Sequence, residues 1–256
     1  VDELIRVFRR LVWMLFSSGV PVTDDQIEKI ATQLLPKMQQ YRRREYVAAA
    51  HRIQSTMPHL TPAPIRPYTT DAIQTVLREA KKPSVEVKML DPQSRRASRV
   101  RVTVDDSNRN DRAVARVVAD RAGATLARHA KQADREAITD TANAAGDRIG
   151  WARVLTGAEN CPWCAMLASR GPVYTSQRAA MFRGGSAVDT YHDHCDCEAV
   201  LVRKGHDWAG RAEYERLDDL WATSTAGLGG KEAVKAFGRA YQAAQVADPN
   251  KSPQEG

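Results

Sequence analysis

The chain has 256 residues, with 38 Lys and Arg against 31 Asp and Glu, four Cys, and 43% hydrophobic residues. That length suits one large domain or two small ones and is enough to bury a real core. No apolar run approaches the roughly 18 residues a membrane span needs, so an integral membrane protein is excluded, as are collagen-like and disulfide-framework classes.

Residues 2–17 read as a helix, with Leu4, Phe8, Leu11 and Leu15 on one stripe and Val12 and Phe16 beside it. No small-residue cleavage site follows Leu11–Phe16, so the run is read as a buried helix face rather than a secretory signal. Gly19-Val20-Pro21 ends the helix. Thr23 with Gln26 has capping-box spacing and opens a second helix running to roughly Ile53. Pro36 is expected to start or kink the second part of that helix. The prolines at 58, 62, 64 and 67 make residues 57–68 an extended connector, which leaves 1–56 as an N-terminal helical region.

Thr69 or Thr70 caps a short helix to about Ala80, stopped by Lys81-Lys82-Pro83. Val85–Lys88 and Val100–Val104 alternate apolar and polar, the strand period, with turn chemistry at Asp91-Pro92-Gln93-Ser94 between them. From Asn108 to about Ile149 a long helix is expected, with Val114, Val117, Val118, Ala122, Leu126, Ala130 and Ala133 at three- and four-residue spacing. Residues 69–150 thus join a hairpin to a long basic helical region. The interior of that helix is mostly Ala, so it depends on packing against another element or another chain. Residues 151–204 hold every Cys, and 205–247 read as two helices. Tyr214, Leu217, Leu220 and Trp221 form one stripe and Val234, Phe237 and Tyr241 the other. The polar tail, 248–256, is expected to be disordered. The fold class is mainly α (α+β): long Ala/Arg-rich helices, one β-hairpin, and a small Cys/His zinc-stapled C-terminal module.

The net charge of +7 is uneven. The first 150 residues carry 26 basic and 18 acidic side chains, while 151–256 carry 12 and 13. A nucleic-acid contact therefore falls in the front two-thirds. Arg42-Arg43-Arg44 is one dense spot; Arg95, Arg96, Arg99 and Arg101 form a second, and Arg109, Arg112 and Arg116 a third. The last two groups are the nucleic-acid-binding candidates. No aromatic residues interleave with them, so contacts would go to phosphates rather than stacked bases. A simply solvated face is the other reading of each cluster.

All four Cys lie within 37 residues, as Cys161-Pro162-Trp163-Cys164 and Cys195-Asp196-Cys197, with His192 and His194 just before the second pair. A C-x-x-C lets two thiolates bite from one turn, and a distant Cys/His cluster can close a tetrahedral Zn²⁺ sphere. Cys161, Cys164 and Cys195 are the firmest ligands; His192 and Cys197 compete for the fourth place, ahead of His194. A disulfide pair or free thiols remain the alternative. A thioredoxin-type site lacks its βαβ surroundings. A zinc deaminase lacks its general acid/base Glu, since Ala130-Lys131 follows the nearest upstream His, His129. A Cys nucleophile would need an unmetallated thiolate beside His192 or His194. Ser186, Asp189 and His192 are too close in sequence to be expected to converge as a triad, and no G-x-S-x-G elbow is present. No catalytic residue is assigned.

Trp151-Ala152-Arg153-Val154, the segment from Cys161 to Tyr174, and His192-Asp193-His194-Cys195-Asp196-Cys197 together resemble the MuF-type minor head (head morphogenesis) proteins of tailed phages. In that family a C-x-x-C is followed by H-x-x-C-x-C, matched here by His192, Cys195 and Cys197. The stretch Trp221–Gly227 and Phe237-Gly238-Arg239 also resemble the family's tail, and the likeness spans about residues 148–240. It implies a low-copy virion protein in the capsid interior at the portal vertex, assembled in the host cytoplasm. Its partners would be the portal protein, the major capsid or scaffolding protein, and packaged double-stranded DNA, with no membrane. Some relatives are called capsid maturation proteases, which is the alternative function.

Overall fold

A computed structural model describes residues 2–90, 97–146, 148–156, 160–173 and 197–247. The chain divides into two compact units, Val1–Glu45 with Arg66–Ala133, and Tyr46–Ile65 with Asp134–Gly256. The fold is mainly α, as its periodicities imply, with two small antiparallel sheets among the described residues. No helix among them is long and apolar enough to cross a membrane.

The first unit is built on α1 (Asp2–Leu15), the first part of α2 (Asp24–Thr56), α3 (Thr70–Glu79), the hairpin β1 (Val85–Leu90) and β2 (Ala97–Val102), and most of α4 (Arg112–Ala144). In α1 the buried line is Ile5, Phe8 and Val12, continued by Phe16 in the 3-10 turn that follows, while Leu4, Leu11 and Leu15 pack at its edge. The apolar arc is thus broad, and its centre lies one residue from the expected stripe. The capping box at the start of α2 forms reciprocally. The Gln26 N–H donates to Thr23 Oγ1 at 3.3 Å and the Thr23 N–H to Gln26 Oε1 at 3.3 Å.

Pro36 neither starts nor divides a helix, because α2 is assigned as one helix through it. Pro36 is on the exposed face, while Ala31, Leu34 and Met38 pack into the core. The hairpin pairs Val85 with Val102 and Lys88 with Arg99. The expected turn residues 91–94 lie outside the described residues.

Asp111 caps α4, accepting from the Ala113 N–H at 2.7 Å and the Val114 N–H at 3.3 Å. The helix buries Val114, Val118, Ala122, Leu126 and Ala130 in the first unit's core, so elements of its own chain supply the packing its Ala-rich interior needs. It approaches α1 closely at Gly123, where an added Cβ would lie 2.6 Å from the Arg9 backbone nitrogen.

The helix stops earlier than its expected limit at Ile149. Gly146 takes φ +80°, a left-handed value that ends a helix, and Ile149 begins a strand. In the second unit that strand, β3 (Ile149–Val154), pairs antiparallel with β4 (Glu198–Arg203). Around it lie the ends of α2 and α4, α5 (Pro162–Ala168), α6 (Arg211–Ser224) and α7 (Gly230–Ala247). Ala49, Ile53, Ala137, Ile138, Trp151 and Leu201 form one core. A second core brings Met166 and Leu167 of α5 against Leu217, Phe237 and Tyr241, the stripes expected of the last two helices. The tail 248–256 lies outside the described residues.

Candidate metal centre

Three of the four cysteines fall in the second unit's described residues, and all three are unbridged. Cys161 is the N-cap of α5, and its sulfur accepts from the Cys164 N–H at 3.3 Å. Pro162 at the first helical position has the fixed φ that the helix start requires, and it places the Cys161 side chain over the first turn. Cys164 is buried at the start of α5, and Cys197 is fully buried just before β4. Their sulfurs lie 3.8 Å apart, with Leu155 and Cys161 packed against them.

That separation is chemically informative. A disulfide would need about 2.05 Å. Two thiolates on one tetrahedral zinc, each about 2.3 Å from the metal, stand about 3.8 Å apart. The separation excludes a disulfide between Cys164 and Cys197; it matches a thiol–thiol hydrogen bond with Cys197 as donor and also the edge of a zinc tetrahedron. His192, His194 and Cys195 lie outside the described residues, as do Ser186 and Asp189. No group of three or more metal-ligating side chains placed to hold an ion occurs among the described residues.

Two arginines that spacing did not single out as site residues complete the geometry. Arg153 of β3 donates Nη1–H to the Cys197 sulfur at 3.1 Å, and Arg135 of α4 donates Nη2–H to the Cys197 carbonyl at 3.2 Å. Both are almost wholly buried, at 3% and 1% exposure. For Arg153 the available signal is compositional, a charged residue inside the otherwise apolar strand IGWARV, whereas Arg135 stands between Asp134 and Glu136 in a charge-rich helix and carries no such signal. Asp134, beside Arg135, is also buried and pairs with Arg52 of α2.

The basic candidates are spread over the first unit. Arg99 and Arg101 share the exposed hairpin face with Glu86 and Lys88, and Arg99 pairs with Glu86 at 3.3 Å. Arg112 and Arg116 are exposed on α4, with the Arg112 guanidinium 6.0 Å from the Trp13 ring centre. Arg109 is half-buried and donates to the Val20 carbonyl at 3.0 Å, which gives it a local structural role. Arg95 and Arg96 lie outside the described residues.

Arg42 is not part of a solvated patch. It is buried, donates to the His129 carbonyl at 2.6 Å, and stacks 4.8 Å from the Tyr68 ring centre. Tyr68 Oη is 2.8 Å from His129 Nδ1, and burial pushes the Tyr68 hydroxyl pKa well above the ordinary tyrosine range. An open cleft of about 310 Å³ in the same unit is lined by Asp24, Arg78 and Lys81. Arg78 is held by Asp24 at 2.8 Å and Lys81 donates to the Pro21 carbonyl at 2.8 Å, so both cations are already engaged.

Comparison with known proteins gives a consistent lineage. A family model described as VG15 protein matches residues 23–224. The "Gene 15 protein" of Mycobacterium phage D29 is 36% identical over 111 residues, covering 33% of this chain and 37% of that protein. The "Gene 15 protein" of Mycobacterium phage L5 is 34% identical over 103 residues, covering 28% and 35%. The matched region thus spans little more than a third of these curated relatives. No solved structure matches.

Proposed function

The chain belongs to the VG15 protein family, and on that premise we propose that it is a minor head protein of a tailed phage, acting in the capsid interior at the portal vertex. The observation that carries the reading is the family match itself, which runs from the cap of α2 to the end of α6 and so takes in both units. Relatives in two mycobacteriophages support a phage setting. The MuF-like pattern of Cys161, Cys164, His192, Cys195 and Cys197 supports the head assignment.

The mechanism is binding. Its partners are the portal protein and the major capsid or scaffolding protein. Arg99 and Arg101 on the hairpin, with Arg112 and Arg116 on α4, are exposed and suited to phosphate contacts with packaged DNA that carry no base readout. Arg95 and Arg96 join them by sequence proximity. A structural Zn²⁺ held by Cys161, Cys164 and Cys197, with His192 or Cys195 completing the set, would cross-link α5 to the start of β4. That cross-link stiffens a module whose sheet has two strands among the described residues.

The test is quantitative protein analysis of purified virions and of portal-containing heads. A few copies per head, retained with the portal after mild capsid disruption, are expected. Absence from heads and virions would overturn the proposal. For the DNA contact, Arg99→Glu with Arg101→Glu should weaken binding and lower the slope of affinity against salt by about two units. An unchanged slope removes that part of the mechanism.

A further inference from the structure

We infer that Arg153 is the positioning residue of the thiolate centre: its guanidinium holds the Cys197 sulfur in ligand geometry, and Arg135 fixes the same residue through its carbonyl. The inference rests on the metal reading proposed above and extends it to residues outside the ligand set. It starts from strand register. Arg153 faces Ala199, and Cys197 lies two residues before Ala199 on the same side of β4's continuation. The two are therefore diagonal neighbours, a relation that lets a long side chain reach across. Ala199, fully buried and small, leaves space for the arginine stem to lean toward Cys197.

The chemistry follows from the donor set. A guanidinium only donates, so the Cys197 sulfur must accept, and a sulfur accepts best as a thiolate. A metal-bound thiolate keeps lone pairs that point away from the ion, and a donor aimed at one of them fixes the sulfur's direction. Arg153 is such a donor to the Cys197 sulfur at 3.1 Å, and the Cys164 sulfur lies 3.8 Å from the same atom. Arg135 approaches from α4 and holds the backbone at 3.2 Å, so Cys197 is clamped at both its carbonyl and its side chain. Two buried positive groups around one residue also offset the negative charge that zinc-bound thiolates carry into an interior.

The experiment uses the full chain loaded with Zn²⁺, and separately with Co²⁺, whose sulfur charge-transfer absorption reports the thiolate environment. Zinc affinity is read by chelator competition in the parent, Arg153→Met and Arg153→Lys, with helix content followed by circular dichroism. Arg153→Met should lower zinc affinity about 10–100-fold while keeping the helix content. Arg153→Lys should restore part of that loss and shift the cobalt band, because a point charge replaces a planar fork. A folded Arg153→Met with parental zinc affinity overturns the inference. Should that variant not fold, Arg153→Lys decides: an unmoved cobalt band and parental affinity overturn it as well. A parent chain that binds neither ion overturns the metal reading and this inference together, whereas a parent that binds while both variants bind equally overturns only the role of Arg153.

Discussion

Replacing Gly123 by Ala should destabilise the first unit, although the same change on an exposed helix face would stabilise it. The glycine sits inside α4 where α1 crosses, and a Cβ there would be 2.6 Å from the Arg9 nitrogen, 2.7 Å from its Cα and 2.8 Å from its Cγ. Two of those atoms are backbone, so no rotamer change relieves the contact. Ordinary van der Waals contact begins at 3.4 Å, which leaves the helices about 0.8 Å too close. Moving them apart loosens Phe8, Val12, Ala122 and Leu126, which share one core. Overpacking of that kind costs about 1–3 kcal/mol, more where backbone must shift. Against it stands about 1 kcal/mol of helix propensity gained by replacing Gly with Ala. The expected net loss is about 0–2 kcal/mol, toward the upper end because backbone must shift, or a fall of up to about 8 °C in melting temperature for a chain of this size. Thermal unfolding followed by circular dichroism measures it. A melting temperature that rises would refute the close approach of α1 and α4.

Other consequences follow from particular contacts. Asp134 is 1% exposed and its partner Arg52 39% exposed at the side chain, so the pair should respond asymmetrically. Arg52→Ala strands a buried carboxylate and should cost about 3–5 kcal/mol, whereas Asp134→Ala leaves a half-exposed arginine in contact with solvent and should cost about 1–3; equal losses in denaturant titrations would contradict this. Tyr68 holds its proton above its ordinary value of 10.0 when folded, so its contribution is full below that pH and is lost as pH rises beyond it. The parent's melting temperature should therefore fall more steeply than that of Tyr68→Phe between pH about 9 and about 11; parallel profiles would show the hydroxyl to be indifferent to folding. Cys164→Ser should loosen the second unit and abolish zinc uptake while leaving the first unit's core intact, as hydrogen exchange can resolve by segment. Loss of protection spread evenly over α1 and α4 would oppose that assignment.

Much of this fold was legible because its signals are local. Thr23 and Gln26 announced their reciprocal cap, Val85–Lys88 their strand, and Leu217 on one helix and Phe237 and Tyr241 on the next their apolar stripes, which the structure joins in one core. What escaped depends on distant partners. The β3–β4 pairing joins residues 149–154 to 198–203, and five of the six residues of β3 are fully buried, so no alternation marks it. Gly146 ended a helix that Ala-rich periodicity carried onward, and Pro36 was accommodated on a solvent face. At the candidate centre, the C-x-x-C spacing brought out Cys161 and Cys164 and the compact cluster brought out Cys197. Arg153 and Arg135 became site residues only through register and packing, since nothing in spacing ties an arginine to a sulfur 44 residues away.

On the proposed function, the cysteines hold a metal that staples the second unit. Elemental analysis of the purified full chain under reducing conditions, with a native thiol count, tests it most directly. About one zinc per chain, with the thiols unreactive until a chelator is added, is the predicted result. No metal together with a fast-reacting thiol would contradict it and favour the protease alternative instead.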